Sequence, residues 1–224
     1  MSAAAAPVRA LLLDFGGTLD ADGVAWKERF RRLFAEEGAP GGEGFDRAFY
    51  DADDALVGSI PRDLSLTETV ERLSSGVAER LGRPAAARGV ARGFLEQARE
   101  RLARSASLLA KWHGPFRVGI VSNFYGNLEA VCRETGLWPH LDTAVDSVVV
   151  GAEKPDPRIF EAALSAIGVA PADALFVGDS LPRDMAGARA LGMPHVWIRS
   201  GEGSACCPED RVIASLAELD RWLS

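Results

Sequence analysis

A doubly wound α/β fold with a helical bundle inserted after its first strand is the architecture this sequence predicts, on three observations. Short aliphatic runs recur, each followed by a turn rich in Gly, Asp, Ser or Asn. Amphipathic segments of crossover length separate the later runs. Between the first and second runs lies a long stretch with helical periodicity and no convincing strand.

The runs are residues 8–13 (VRALLL), 117–121 (RVGIV), 147–150 (SVVV), 174–177 (ALFV) and 195–198 (HVWI). Their hydrophobicity is continuous rather than alternating, as suits strands covered on both faces of a parallel sheet. The segments PRIFEAALSAIG and DMAGARALG read as crossover helices, each ending in a glycine that stops it. Together they predict a Rossmann-like core.

The insert shows four apolar stripes at spacings of three and four. Trp26, Phe30, Leu33 and Phe34 form the first; Phe45, Phe49, Ala52 and Leu56 the second. Leu66, Val70, Leu73, Val77 and Leu81 form the third; Val90, Phe94, Ala98 and Leu102 the fourth. Each set lies on one helical face, and four such faces bury one another in a bundle. The turn signals GAPGGEG, GSIPRD and LGRP separate them. The expected division is a core of residues 1–19 and 108–224 and a helical cap of residues 20–107, with hinges near 20–23 and 105–112.

Composition narrows the function. The 224 residues include 25 basic and 32 acidic side chains, a formal net charge of −7, so no basic stripe is present to displace counterions from a nucleic acid. The densest basic stretch, KERFRR, reads as a solvated helix face. No apolar run is long enough to span a bilayer, and MSAAAAPVRA lacks the basic and apolar regions of a secretory signal. A cytoplasmic protein is expected, without nucleic-acid or membrane partners. Cys132, Cys206 and Cys207 show no metal-ligand spacing, and the adjacent pair reads as an incidental feature of a loop.

Chemistry concentrates at the strand ends. Asp14 follows the first strand in LLLDFGGTL, and Ser122 and Asn123 follow the second in GIVSNFYGN. Lys154 stands in GAEKPDPRIF after the third, and Asp179 and Asp184 in FVGDSLPRDMAGA after the fourth. The carboxyl ends of parallel strands line one crevice, so these groups converge. Two carboxylates, Asp14 and Asp179, offer hard oxygen ligands to Mg²⁺. Ser122 and the backbone N–H groups after Asp14 and Ser122 suit a phosphoryl group, and Lys154 supplies the neutralising charge. A carboxylate free to attack in line forms an aspartyl-phosphate. Taken singly, Asp179 and Asp184 could be helix caps, Lys154 a surface charge and Ser122 a cap of the helix GNLEAVCRETG; four such coincidences in order are improbable.

In motif order, DFGGTL, SN, KPDPRIF and GDSLPRDMAGA resemble the four motifs of the haloacid dehalogenase (HAD) superfamily, in the subgroup with a four-helix cap between motifs one and two. The resemblance covers essentially the whole chain. It implies Asp14 as nucleophile, and Ser122, Asn123 and Lys154 around the phosphate. It also implies Asp179 and the Gly16 carbonyl as Mg²⁺ ligands beside Asp14, with Asp184 supporting the metal from behind. The implied reaction is Mg²⁺-dependent hydrolysis of a small phosphorylated metabolite.

One position departs from the pattern. The family's phosphatases usually carry a second Asp two residues after the nucleophile, which protonates the leaving group and then activates water. Here that position is Gly16. Three readings are open: a phosphatase with a substitute acid or a good leaving group, a different chemistry such as dehalogenation or phosphonate cleavage, or a phosphate-binding module with little turnover. Asp179 weighs against dehalogenation, since halide displacement needs no Mg²⁺. Phosphonate cleavage needs a Schiff-base lysine in the cap, where Lys27, the one candidate, reads as a solvated position. Losing acid–base help costs about 10²–10⁴-fold, which favours slowed turnover over none. Asp20 and Asp22 follow the motif and read first as caps of the next helix. An Asp introduced at Gly16 is expected to stand beside the scissile bond.

Overall fold

The computed structural model describes residues 8–39, 43–200 and 211–223. The vicinal pair Cys206 and Cys207 lies outside them. Six strands form one parallel sheet in the order β3-β2-β1-β4-β5-β6. They are β1 (Ala10–Leu13), β2 (Arg117–Ser122), β3 (Thr143–Asp146), β4 (Ala174–Gly178), β5 (His195–Ile198) and β6 (Arg211–Ile213). β1 lies at the centre, with Leu13 level with Ile120 of β2 on one side and Val177 of β4 on the other. The chain winds outward from β1 through β2 to β3, then crosses to β4 and winds the other way. The reversal sits beside β1, which is where an open α/β sheet forms its ligand crevice.

Strand β1 is buried on both sides and sorts its residues by parity. Leu11 and Leu13 join an apolar core that continues through Phe124 and Val118 into the inserted helices. Ala10 and Leu12 join a second core with Val121, Phe160, Phe176 and Met185 on the opposite face. This two-sided burial is what the unbroken apolar run at 8–13 signalled.

Four helices occupy the chain between β1 and β2: α1 (Trp26–Glu36), α2 (Glu43–Leu56), α3 (Leu66–Arg80) and α4 (Ala87–Trp112). Their buried residues follow the sequence stripes, among them Phe30 and Phe34, Phe45 and Phe49, Val70 and Leu73, and Phe94 and Ala98. A reciprocal capping box between Ser65 and Glu68 starts α3. α4 spans 26 residues, about 39 Å of rod. It runs unbroken through positions 105–112, where a hinge was expected, and ends with the Trp112 indole donating to Asp220 at 2.8 Å.

Two strands differ from the sequence reading. Residues 147–150 form a helix, α6 (Ser147–Val150), and the third strand is the preceding Thr143–Asp146. The cause is Asp146, whose side chain accepts from the backbone N–H of Val148 at 2.9 Å, Gly126 at 2.9 Å and Leu128 at 3.1 Å. That cap turns the chain out of the sheet and overrides the β preference of three valines, leaving Val149 and Val150 exposed. Strand β6, three residues long, has too short an apolar run to be read from sequence.

The remaining helices are α5 (Leu128–Glu134), α7 (Pro157–Ile167), α8 (Ala186–Ala190) and α9 (Asp220–Leu223). Cys132 on α5 is fully buried, and burial pushes its thiol up to about 12. With no thiolate and no access, it should stay unlabelled by a thiol reagent in the native protein and react only on unfolding. Site-resolved mass spectrometry after timed labelling, which separates Cys132 from the other two cysteines, checks this.

Candidate active site

The register of the sheet assembles the site. Asp14 continues β1, its N–H donating to Val177 O at 2.9 Å, so its side chain emerges between the ends of β2 and β4. One carboxylate oxygen, Oδ1, accepts from Ser122 Oγ at 2.9 Å and from Lys154 Nζ at 2.7 Å. Lys154 also lies 2.7 Å from Asp184 Oδ1, and the other oxygen of Asp184 accepts from Ser180 N at 2.9 Å. Asp14, Ser122, Lys154 and Asp184 are all buried. Sequence-derived residues such as Asp14 and Lys154, 140 positions apart, thus meet at one point.

Asn123 holds Lys154 in place. Its amide oxygen accepts from Lys154 N at 2.7 Å and its amide nitrogen donates to Lys154 O at 3.1 Å. With the side chain so committed, its contribution to a phosphoryl group falls to the backbone N–H.

The electrostatics follow from burial. Burial works against the Lys154 ammonium, but the carboxylates of Asp14 and Asp184 outweigh it and hold its pKa above the ordinary value. Burial raises Asp179 well above the usual carboxylate range, and the Asp14 and Asp184 charges add to this. Asp184 is raised by burial too, with Lys154 opposing. Oxygens of Asp14, Asp179 and Asp184 lie within 4.8 Å of one another. One ammonium thus faces three carboxyl groups, and burial and mutual repulsion disfavour the charged forms of Asp179 and Asp184; a divalent cation would relieve that repulsion. Hard oxygen donors in that number fit Mg²⁺.

The turn after Asp14 explains both glycines. Gly17 has φ +90, and a Cβ there would lie 2.3 Å from Asp179 Oδ2. It is glycine because its backbone enters the left-handed region and passes against the carboxylate. Gly16 is different: φ −77 and ψ 117 are open to any residue. Its constraint is the Trp26 indole, whose Nε1 and Cδ1 would stand 3.2 and 3.4 Å from an added Cβ. The place expected for an acid at position 16 is bordered by a tryptophan of α1.

Trp26 is itself anchored. Its Nε1 donates to Asp20 Oδ2 at 2.8 Å, and its ring meets Phe94 edge-on at 4.9 Å between centroids. Asp20 is buried, accepts from Gly17 N at 2.7 Å and pairs with the buried Arg29 at 2.5 Å. Burial raises the Asp20 carboxyl, and Arg29 opposes that shift. The arginine in turn donates to Phe94 O at 3.1 Å and lies over the Phe94 ring at 3.8 Å. Neither Asp20 nor Asp22 caps α1; Ala25 holds that position without a side-chain bond. Asp22, in the left-handed region at φ 47, pairs with Arg101 and accepts from Leu216 N.

A cavity of about 380 Å³ opens over Asp14, bounded by Ser122 and Lys154 below and by Trp26, Phe49 and Tyr50 of the inserted helices above. Phe30 and Phe45, on the same two helices, lie instead in the bundle core. Sequence reasoning missed Asp53 and Tyr125, which also line this cavity. Tyr125 stands three residues after Ser122, but nothing local marks Asp53. None of the three histidines lines it.

A parallel sheet with a buried carboxylate on its central strand, held by a serine and a lysine beside two further acids, defines the class of site that hydrolases build at the carboxyl ends of their strands. Comparison with known proteins gives the family. The model of haloacid dehalogenase-like hydrolases matches residues 8–192, and the chain belongs to that family. "Haloacid dehalogenase-like hydrolase domain-containing protein 3" of Bos taurus is 44% identical over 109 residues, covering 46% of this chain and 43% of that protein. A phosphoserine phosphatase of Thermus thermophilus is 44% identical over 80 residues, 34% of this chain and 32% of the relative. The chain spans under half the length of these curated relatives. Among solved structures, a HAD phosphatase from Thermococcus onnurineus aligns over 97% of this chain and 98% of its own, with TM-score 0.59 and 24% identity. A 2-haloacid dehalogenase from Pseudomonas syringae aligns over 96% and 98%, with TM-score 0.54 and 22% identity. The fold is therefore shared by both chemistries and does not choose between them.

Stability measurements test this geometry. Arg29→Met leaves the buried Asp20 carboxylate without its counter-charge and should cost about 3–5 kcal/mol in denaturant unfolding. Arg104→Ala, which removes an exposed pair with Glu100, should cost about 0–1 kcal/mol. Gly16→Asp should cost about 1–3 kcal/mol through crowding against Trp26. In a double-mutant cycle with Trp26→Ala, the combined cost should fall below the sum of the single ones.

Proposed function

We propose that this chain is a Mg²⁺-dependent phosphatase that hydrolyses a small phosphorylated metabolite through an aspartyl-phosphate on Asp14. The observation that carries this reading is the double hold on one oxygen of Asp14 by Ser122 and Lys154. Those bonds fix the rotation of the carboxylate and leave Oδ2 to attack phosphorus in line. The Lys154 ammonium and the Ser122 hydroxyl neutralise and orient the phosphoryl oxygens as charge builds on them. Asp14, Asp179, Asp184 and the Gly16 carbonyl would hold Mg²⁺, which supplies Lewis-acid neutralisation of the phosphoryl group.

Further support comes from the charge balance. Three carboxyl groups crowded around one ammonium favour a cation there, which halide displacement does not use. Relatives named phosphoserine phosphatase and glyceraldehyde 3-phosphate phosphatase match parts of the chain, the latter, from Methanopyrus kandleri, at 37% identity over 86 residues. Small phosphomonoesters suit a cavity of about 380 Å³. The four inserted helices act as a cap, residues 20–107, that shields the reaction from water. No helix among the described residues is long and apolar enough to cross a membrane, and a cytoplasmic setting with no nucleic-acid partner completes the reading.

A second reading, ligand binding with little turnover, is favoured by Trp26 standing beside the missing acid. Phosphate release from p-nitrophenyl phosphate decides between them. Turnover should require Mg²⁺ and be lost in Asp14→Asn; wild-type activity no greater than that of the variant supports the binding reading. The metal assignment has its own readout: Mg²⁺ should raise the melting temperature of the wild type and leave that of Asp179→Ala unchanged.

A further inference from the structure

The phosphatase reading leaves the leaving group without a proton donor, because the usual carboxylate position is Gly16. The geometry points to Asp53 as that donor and as the base that later activates water, with Tyr125 as the residue that positions it. This inference rests on the phosphatase reading and specifies its missing step.

Elimination on the cavity wall leads there. Apart from Asp14, Asp53 supplies the one carboxyl among the residues lining the cavity. Asp20 is committed to Arg29, Trp26 and Gly17, and Asp22 is tied to Arg101 and Leu216. Neither lines the cavity, nor does any histidine. Lys27 and Arg183 do, but an ammonium or guanidinium has no basic form near neutral pH with which to take a proton from water in the second step, whereas a carboxyl serves in both.

Asp53 stands on α2, on the side of the cavity formed by the insert. Tyr125, buried at the end of the loop after Ser122, donates its hydroxyl to Asp53 Oδ1 at 2.5 Å. Its backbone carbonyl accepts from Gly58 N at 3.2 Å, and its ring packs on Phe124 at 4.9 Å. The phenol is thus fixed, and it fixes the carboxyl. With Oδ1 occupied as an acceptor, the acid proton resides on Oδ2. Burial raises Asp53 above the ordinary carboxylate range, with the Tyr125 bond opposing, the neighbouring Asp54 charge adding and Arg183 of the Leu181–Met185 turn subtracting. Lys27 of α1 and Tyr50 of α2 are the other titratable groups on that wall.

The proposed steps balance. Asp14 Oδ2 bonds to phosphorus as the ester P–O bond breaks. The electron pair stays on the ester oxygen, which takes the Asp53 proton and leaves as an alcohol. Water then attacks the phosphorus of the aspartyl-phosphate and gives a proton to the Asp53 carboxylate. The P–O bond to Asp14 breaks, releasing inorganic phosphate and restoring both side chains. Placement on α2 makes proton supply depend on the insert being seated over the sheet.

The experiment measures kcat/KM with Mg²⁺ for an alkyl ester, glycerol 3-phosphate, and for p-nitrophenyl phosphate, whose leaving group needs little protonation. Asp53→Asn, near-isosteric, should lower the alkyl value by about 10²–10³-fold and the aryl value by less than about 10-fold. Tyr125→Phe keeps the acid and loses its orientation, so its loss should be smaller but equally selective for the alkyl ester. Thermal melts establish that each variant is folded, and Tyr125→Phe decides the matter if Asp53→Asn is not. An active wild type whose variants lose both activities equally, or neither, overturns the role of Asp53 and leaves the phosphatase reading standing. A wild type no more active than Asp14→Asn on either ester overturns both.

Discussion

The buried pair of Asp20 and Arg29 is the contact on which the site depends. An ion pair out of water survives only if its remaining hydrogen-bonding capacity is met, and here it is met by the site's own framework. Asp20 takes the N–H of Gly17 and the indole of Trp26; Arg29 takes the carbonyl of Phe94. Each of those partners belongs to a different segment: the turn after Asp14, the first helix of the insert and the long fourth helix. A charge pair that would be expensive in an apolar interior thereby fixes the shape of the loop carrying the chemistry.

From that anchor the rest of the site follows by close fit. Gly17 can press its backbone against Asp179 because Asp20 holds its N–H from the other side. Trp26, held by the same carboxylate, borders Gly16 and leaves little room for a side chain there. The absence of an acid at that position and the presence of the tryptophan are two sides of one packing arrangement.

Much of this was legible in the sequence. Continuous apolar runs ending in Asp14, Ser122 and Asp179 located three strand ends correctly, because strands covered on both faces leave that signature. The helical stripes located the insert for the same physical reason: burial is periodic. What stayed hidden depended on contacts between distant residues. Val148–Val150 read as a strand because β propensity is local, whereas the cap from Asp146 also gathers N–H groups some twenty positions earlier. Asp20 read as a helix cap, since nothing in the sequence discloses that Arg29 folds back onto it. Tyr125 and Asp53 are 72 residues apart, and no spacing rule joins a phenol to a carboxyl across that gap.

The unbroken fourth helix gives the insert unequal moorings. On one side the connection is the short turn from Asp20 to Trp26; on the other it is a rod that passes from the bundle into the sheet domain. The stretch from Phe94 to Trp112 contains neither glycine nor proline, the residues at which helices bend sharply. One mooring is thus a stiff rod and the other a short turn pinned by Asp20 and Asp22, so the insert is braced at both ends rather than hung as a flap on two loops. A single rod therefore carries Phe94, on which Trp26 rests, at one level and Trp112, tied to Asp220, at its end, so the seat of the tryptophan and the hold on α9 share one rigid element.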